Sequence, residues 1–251
     1  MARIVRAAAT YGSVHGASAE LPSLAAVRAS CGADALCAAR QMVAASGGRL
    51  RLEAVAHPET DTIRWADTAP SVTAVRMGAN GRRWIVLDGF GRKAEREVGE
   101  ALSHAIGDAS PLGLDLRGNA GGDFGRMLRV AAVFTGYVKN ALYLSDINGQ
   151  TAVSIEGKKD IGQDRDLLVL VGPSTASSAE VLAALLQRYA GARLAGGRTA
   201  GKDYLTRVIA VDHDWRLLVP AERIEVPGVE LAGGLRPAGP APADAPPEPR
   251  P

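Results

Sequence analysis

The sequence predicts an α/β domain, on three observations. From Ser71 onward, β-branched and apolar runs alternate with segments of helical periodicity, the pattern that builds a sheet with flanking helices. DLLVLVG, residues 166–172, is a near-continuous apolar run of the kind buried on both faces of a sheet. Two turn signals, Ala79-Asn80-Gly81 and Asn148-Gly149, each separate a pair of strand-like runs.

Taken in order, residues 1–70 read as a small N-terminal section with a helical and a β part. A helical pattern runs from Leu24 through Val43 and is interrupted near Gly32. GGRLRLEAVAH then alternates Leu50, Leu52 and Ala54 against Arg51 and Glu53, as a half-buried strand does. Residues 71–237 read as the main domain. Ser71 to Arg76 and Arg83 to Leu87 form the first hairpin, and Lys93 to Ile106 places Ala94, Val98, Ala101, Leu102 and Ala105 on one helix face. PLGLDL is a short apolar strand, Phe124 to Phe134 a second helix, and YLSDINGQTAVSIEG a second hairpin. After DLLVLVG come a helix over Glu180 to Tyr189 and the strands RLAGG, YLTRVIAV and WRLLVP. Residues 238–251, rich in Pro and Ala, lack apolar periodicity and are expected to be a disordered tail.

With 251 residues, 47% of them hydrophobic, the chain suffices for one full-sized core and a small appendage. A net charge of +2, without any run of like charges, excludes the electrostatic footprint of a nucleic-acid binder. No apolar stretch reaches membrane-spanning length, and the opening MARIVRAAATYGSVHG lacks the apolar core of a signal peptide. An exported or periplasmic location is expected if Met1 stands where a leader was removed, a cytoplasmic one if the chain is native as written. Cys31 and Cys37 fit either a local disulfide or two buried thiols, and with His15, His57, His104 and His213 scattered they suggest no metal site.

Three segments stand where a strand ends and the chain must turn: DLRGNAGGDFG (115–125), GPSTASSAEV (172–181) and GGRTAGKDYLT (196–206). In the second, a buried strand runs into small residues and then a helix, the usual way an α/β fold presents a reactive side chain. Ser177 then stands at a helix start, where unpaired N–H groups favour developing negative charge. Ser177 to Glu180 is also S-x-x-E, a capping box that needs no catalysis, with Ser174 and Thr175 as alternative caps. Lys202 reads as a surface lysine or, if its turn is tucked against the Ser177 helix, as a general base whose charge burial disfavours. Gly196, Gly201 and Lys202 also spell G-x-x-x-x-G-K, but Asp203 and the β-rich continuation argue against a phosphate loop. Gly121 and Gly122 either bring backbone N–H groups to a ligand, as an oxyanion hole needs, or make a tight turn. Asp115 and Arg117 read as a structural pair, and Asp88, Asp146 and Asp160 as turn carboxylates.

DLRGNAGGDFGRMLRVAAVF, GPSTASSAEVLAALLQ and LAGGRTAGKDYLTRVIAV together resemble, in that order, the Gly loop, nucleophile loop and lysine turn of the C-terminal processing (tail-specific) proteases. The resemblance extends from Ser71 to Pro237 and includes the final GGLRP. It implies a mixed-sheet spiral fold like that of the Clp protease/crotonase superfamily. It also implies a serine endopeptidase that works through an acyl-enzyme, with Ser177 as nucleophile and Lys202, 25 positions on (202 minus 177), as general base. Gly121, Gly122 and the Ser178 N–H become oxyanion donors. Thr206 stands where the family carries a glutamine that helps hold the lysine. No insert of PDZ size fits, so selection through a PDZ groove is not expected. The substrate would be a protein or peptide lying extended beside a sheet edge; no metal or organic cofactor is implied, and homo-oligomerisation is left open. The rival reading keeps the fold without the activity, as a peptide- or lipid-binding module.

Overall fold

The computed structural model describes residues 1–14, 21–46, 50–55, 69–103, 110–146, 148–158 and 166–248. The chain divides into two compact units: Met1–Thr62 with Leu144–Thr151 and Tyr204–Ile224, and Ile63–Tyr143 with Ala152–Asp203 and Glu225–Pro251. His15, His57, His104, Ala105 and Asp160, each given a reading above, lie outside the described residues.

The first unit joins helices α1 (Ala2–Val14), α2 (Leu24–Cys31) and α3 (Ala35–Ala45) to an antiparallel sheet. Sequence reading had not anticipated α1, although Ile4, Val5 and Ala8 are spaced to share a helix face and are buried. Gly32, at φ 58°, ends α2, and the Asp34 carboxylate starts α3 by accepting from the Leu36 and Cys37 N–H groups. A disulfide joins Cys31 to Cys37 across this corner. Strand β1 (Arg51–Ala54) has four residues and needs a partner; β10 (Trp215–Glu225) supplies it, with Arg51 opposite Leu218, and β9 (Tyr204–Ala210) pairs with β10 on its other side. A boundary at residue 70 is therefore corrected: most of the last two strands belongs with the N-terminal helices, and Ile209, Leu217 and Val219 complete their core.

The second unit carries a sheet of order β2-β3-β4-β7-β8. Strands β2 (Val72–Met77) and β3 (Arg83–Leu87) form the expected antiparallel hairpin. β3, β4 (Leu112–Asp115), β7 (Leu167–Val171) and β8 (Arg193–Gly196) are parallel, and all of β4 and β7 is buried. A parallel sheet needs crossovers, here carrying α4 (Ala94–Ser103), α5 (Phe124–Thr135) and α6 (Ser178–Tyr189). α4 buries Ala94, Val98, Ala101 and Leu102 as its periodicity predicted, whereas α6 is buried continuously from Ser178 to Leu186. The hairpin β5 (Val138–Asp146) and β6 (Gly149–Ile155) follows α5. The molecule is thus mixed α/β with mixed sheets. Because the strands are parallel, the loops after β4, β7 and β8 all leave their carboxyl ends, where open α/β sheets bind ligands.

The expectation of a disordered tail is overturned for residues 238–248. The Gly239 carbonyl accepts from Gly196 N–H at 2.9 Å, and the Asp244 carboxylate from the Trp84 indole N–H at 3.3 Å. Ala241 and Ala245 pack on Trp84, Leu168, Leu170 and Ala195. Prolines restrict the unfolded chain, so the segment loses little entropy on docking and needs few apolar contacts to stay ordered. Deleting residues 238–251 is expected to lower the melting temperature by about 4 °C or more, since it uncovers this apolar face and removes hydrogen-bond acceptors. Calorimetry on the shortened chain checks this.

Asp166 binds Arg193 and Arg82, each at 2.6 Å. Those two hydrogen bonds, Arg193's first, hold its carboxyl below the ordinary value of 3.8. A depressed folded value means that the stabilisation is fully present above the unfolded value and is lost as pH falls through the folded one. Asp166→Asn should therefore lower the melting temperature at neutral pH by a small amount, the carboxylate being half exposed, and the gap to wild type should close under acid. Paired melting curves at pH values on either side of 3.8 measure it.

Candidate active site

Two of the three loops, the nucleophile loop and the lysine turn, meet through one side chain. Glu180, in the first turn of α6 and 1% exposed, accepts from the Ser177 N–H and the Lys202 N–H on the same oxygen, Oε2, each at 2.8 Å. Its other oxygen accepts from the Gly201 N–H at 2.7 Å and from the Thr199 hydroxyl. The backbone nitrogens of Ser177 and Lys202 are consequently no farther apart than twice 2.8 Å. This carboxylate also settles the phosphate-loop question, because amides that would cradle a phosphate are already held by an anion.

Ser177 adopts φ 55° and ψ −124°, a left-handed conformation that costs a non-glycine residue about 1–3 kcal/mol. The capping box expected of Ser177 and Glu180 forms, with the Glu180 carboxylate taking the Ser177 N–H, and the Glu180 N–H also donates to the Ser177 carbonyl. Ser178 is the first residue of α6, so its N–H has no intrahelical acceptor; its hydroxyl donates to the Gly122 carbonyl at 2.9 Å and fastens the Gly loop to the helix.

That loop is set by Asn119, which is wholly buried. Its Nδ2 donates to the Leu87 carbonyl at 3.0 Å, its Oδ1 accepts from Gly121 N–H at 2.9 Å, and its own carbonyl accepts from Ala176 N–H at 3.1 Å. Gly121, at φ 102°, lies against the nucleophile loop: a Cβ there would stand 2.8 Å from the Ala176 carbonyl oxygen and 3.0 Å from Ser177 Cβ. No other residue fits. Since its N–H is engaged by Asn119, Gly121 contributes space and not the oxyanion donor expected of it. Thr175 does not cap α6; its hydroxyl donates to the Leu116 carbonyl at 2.8 Å and accepts from Gly172 N–H at 2.9 Å, joining the ends of β4 and β7. The GGLRP segment closes the lysine turn, with Leu235 N–H on the Thr199 hydroxyl at 2.8 Å.

Two expectations change. The lysine turn is tucked against the Ser177 helix through its backbone, but Lys202 itself is exposed, so the burial expected of a base is absent from the free protein. Thr206 lies on β9 opposite Pro220, exposed, and belongs to the first unit, whereas Ser177 and Lys202 belong to the second. Asp115 and Arg117 form the expected pair, bidentate and buried, and Asp146 is a turn carboxylate that accepts from Asn148. Sequence reading gave Asn119 no role beyond its place in the family's loop, passed over Thr199, and took Glu180 as a cap and a marker of the serine's position; the signal was that all three stand inside the three segments already singled out. Among the described residues no cluster of His, Cys, Asp and Glu suits a metal ion, and no helix is long and apolar enough to cross a membrane.

The loops at the carboxyl ends of this parallel sheet thus bring a strained serine and a lysine turn onto one carboxylate, with the Gly loop fastened to the start of the same helix, a mixed α/β site. Residues 84–233 match peptidase family S41, and the chain belongs to that family. It is 28% identical over 204 residues to the chloroplastic carboxyl-terminal-processing peptidase 2 of Arabidopsis thaliana, covering 76% of this chain and 39% of that one. It is 31% identical over 147 residues to the carboxyl-terminal-processing protease of Synechocystis sp., covering 57% and 34%. The chain thus spans well under half the length of these curated relatives. In fold it is similar to the photosystem II D1 C-terminal processing protease, with TM-score 0.56 and 23% identity over 77% of this chain and 48% of the other. It is also similar to a lipoprotein from Streptococcus agalactiae, with TM-score 0.66 and 13% identity over 96% and 90%.

Glu180→Ala should cost about 3 kcal/mol or more in denaturant unfolding, because three N–H groups and a hydroxyl lose a charged acceptor at once. Glu180→Gln, with one acceptor oxygen left, should fall between Ala and wild type.

Proposed function

We propose that the chain is a serine endopeptidase that hydrolyses peptide bonds of a protein or peptide substrate through an acyl-enzyme on Ser177, with Lys202 as general base. The observation that carries this reading is the shared Glu180 oxygen, which draws the Ser177 and Lys202 backbones onto one point, in a chain of a peptidase family. In the proposed cycle Lys202 Nζ takes the Ser177 hydroxyl proton as Oγ attacks the carbonyl carbon. The oxyanion forms at the start of α6, where the Ser178 N–H and the helix dipole favour negative charge and the Gly122 N–H adds a second donor. Lys202 returns the proton to the leaving amine, and water then repeats the sequence on the ester. An extended substrate crossing the site would itself cover Lys202, supplying the desolvation that a lysine base needs. Thr206, in the other unit, is given no part in the cycle. The Cys31–Cys37 disulfide supports an oxidising, exported location.

The exposure of Lys202 favours a second reading, a peptide-binding module on the same fold without turnover. Ser177→Ala separates the two: as a peptidase the protein should lose activity while its melting temperature moves little. Lys202→Ala should lose it likewise, and Lys202→Arg should do no better because a guanidinium does not give up its proton. Cleavage of a responsive peptide by Ser177→Ala at the wild-type rate would overturn the assignment. Mass mapping after treatment with an acylating serine inhibitor should place the adduct on Ser177.

A further inference from the structure

Arg117 is 6% exposed, and its guanidinium is divided between two sets of acceptors. Nε and Nη2 donate to Asp115 at 2.9 and 2.7 Å. Facing the other way, Nη2 also donates to the Pro246 carbonyl at 2.7 Å and the Pro247 carbonyl at 3.3 Å, and Nη1 to the Glu248 carboxylate at 2.6 Å. Asp115 balances the charge but leaves the outward donors to residues 246–248. A buried guanidinium donor without an acceptor is costly, so removing those residues leaves Arg117 to move toward water or to part from Asp115.

Arg117 is also the root of the candidate site. Its stem packs on Gly172, where a Cβ would stand 3.6 Å from Arg117 Cγ, and Gly172 opens the loop that leads to Ser177. Its own N–H donates to Asp115 at 3.0 Å, which fixes the chain direction at the end of β4. Two residues on, Asn119 holds both Gly121 and Ala176. A displacement of Arg117 therefore has a short covalent and packed route into both the Gly loop and the nucleophile loop.

We propose that residues 246–248 are a positioning element for this site: by completing the hydrogen bonding of Arg117 they hold the Asn119–Gly121 loop against Ser177. The segment touches no reacting atom, and its catalytic consequence rests on the Ser177 reading given above. Proline suits the task, because a fixed φ presents the two carbonyls to the guanidinium already oriented.

The test deletes Pro246 to Pro251 and keeps Ala241, Asp244 and Ala245 over Trp84. Turnover of a peptide substrate should fall about tenfold while KM stays within about twofold, a split that loss of a surface cover alone does not produce. Hydrogen exchange at the Asn119 and Gly121 amides should quicken. Should the shortened chain melt too low to assay, Glu248→Lys in the full-length chain sets a cation against Arg117 and should shift both readouts the same way. Wild-type turnover together with wild-type exchange in either variant would overturn the proposal. The exchange measurement needs no substrate, so it decides the coupling even if Ser177→Ala shows the peptidase reading to be wrong.

Discussion

One buried carboxylate organises the loops at the carboxyl ends of the second unit's sheet. Glu180 takes three backbone N–H groups and one hydroxyl, drawn from the nucleophile loop and the lysine turn, two segments that follow different strands. Such a group is stable in the interior only because its charge is met by donors on every side. The reverse also holds: each of those donors is short of an acceptor without it. A loop of glycines and small residues has little side-chain packing of its own, and a charge-assisted network is what gives it one conformation.

The rest of the site hangs on that anchor in a layered way. Asn119 and Thr175 join the ends of β4 and β7 with neutral hydrogen bonds, which fixes where the two loops begin. Gly121 then approaches Ser177 more closely than any side chain permits, and Ser177 is held in a conformation that residues with a Cβ avoid. Strain of this kind persists only where surrounding bonds determine the backbone, and the Ser177 N–H to Glu180 bond is one of those that do.

Residues 238–248 show how composition misleads when it is read alone. Little apolar content and many prolines usually mean that a segment cannot offset its ordering entropy. Here most of that entropy is already absent because proline has little to lose, and a waiting apolar face with a buried guanidinium supplies the contacts. Neither the face nor the guanidinium is visible from the tail's own residues.

Periodicity and turn chemistry made most of the elements from Ser71 onward legible, since the apolar run over 167–171, the face of α4 and the Asn-Gly turn each depend on residues close in sequence. The three site segments were legible for the same reason: glycines, small residues and a lone lysine at strand ends are local signals, and the family resemblance they carry agrees with the match over residues 84–233. What only the tertiary structure decided is long-range. It assigned β9 and β10 to the N-terminal unit because a four-residue β1 requires a distant partner, and with them it moved Thr206 out of the unit that holds Ser177. It turned Glu180 from a helix cap into the link between loops 21 and 22 residues apart in the chain, spent the Gly121 N–H on Asn119, and left Lys202 exposed. Hydrogen-bond partners and burial are properties of the packed chain, because each depends on which distant segment arrives at a given place.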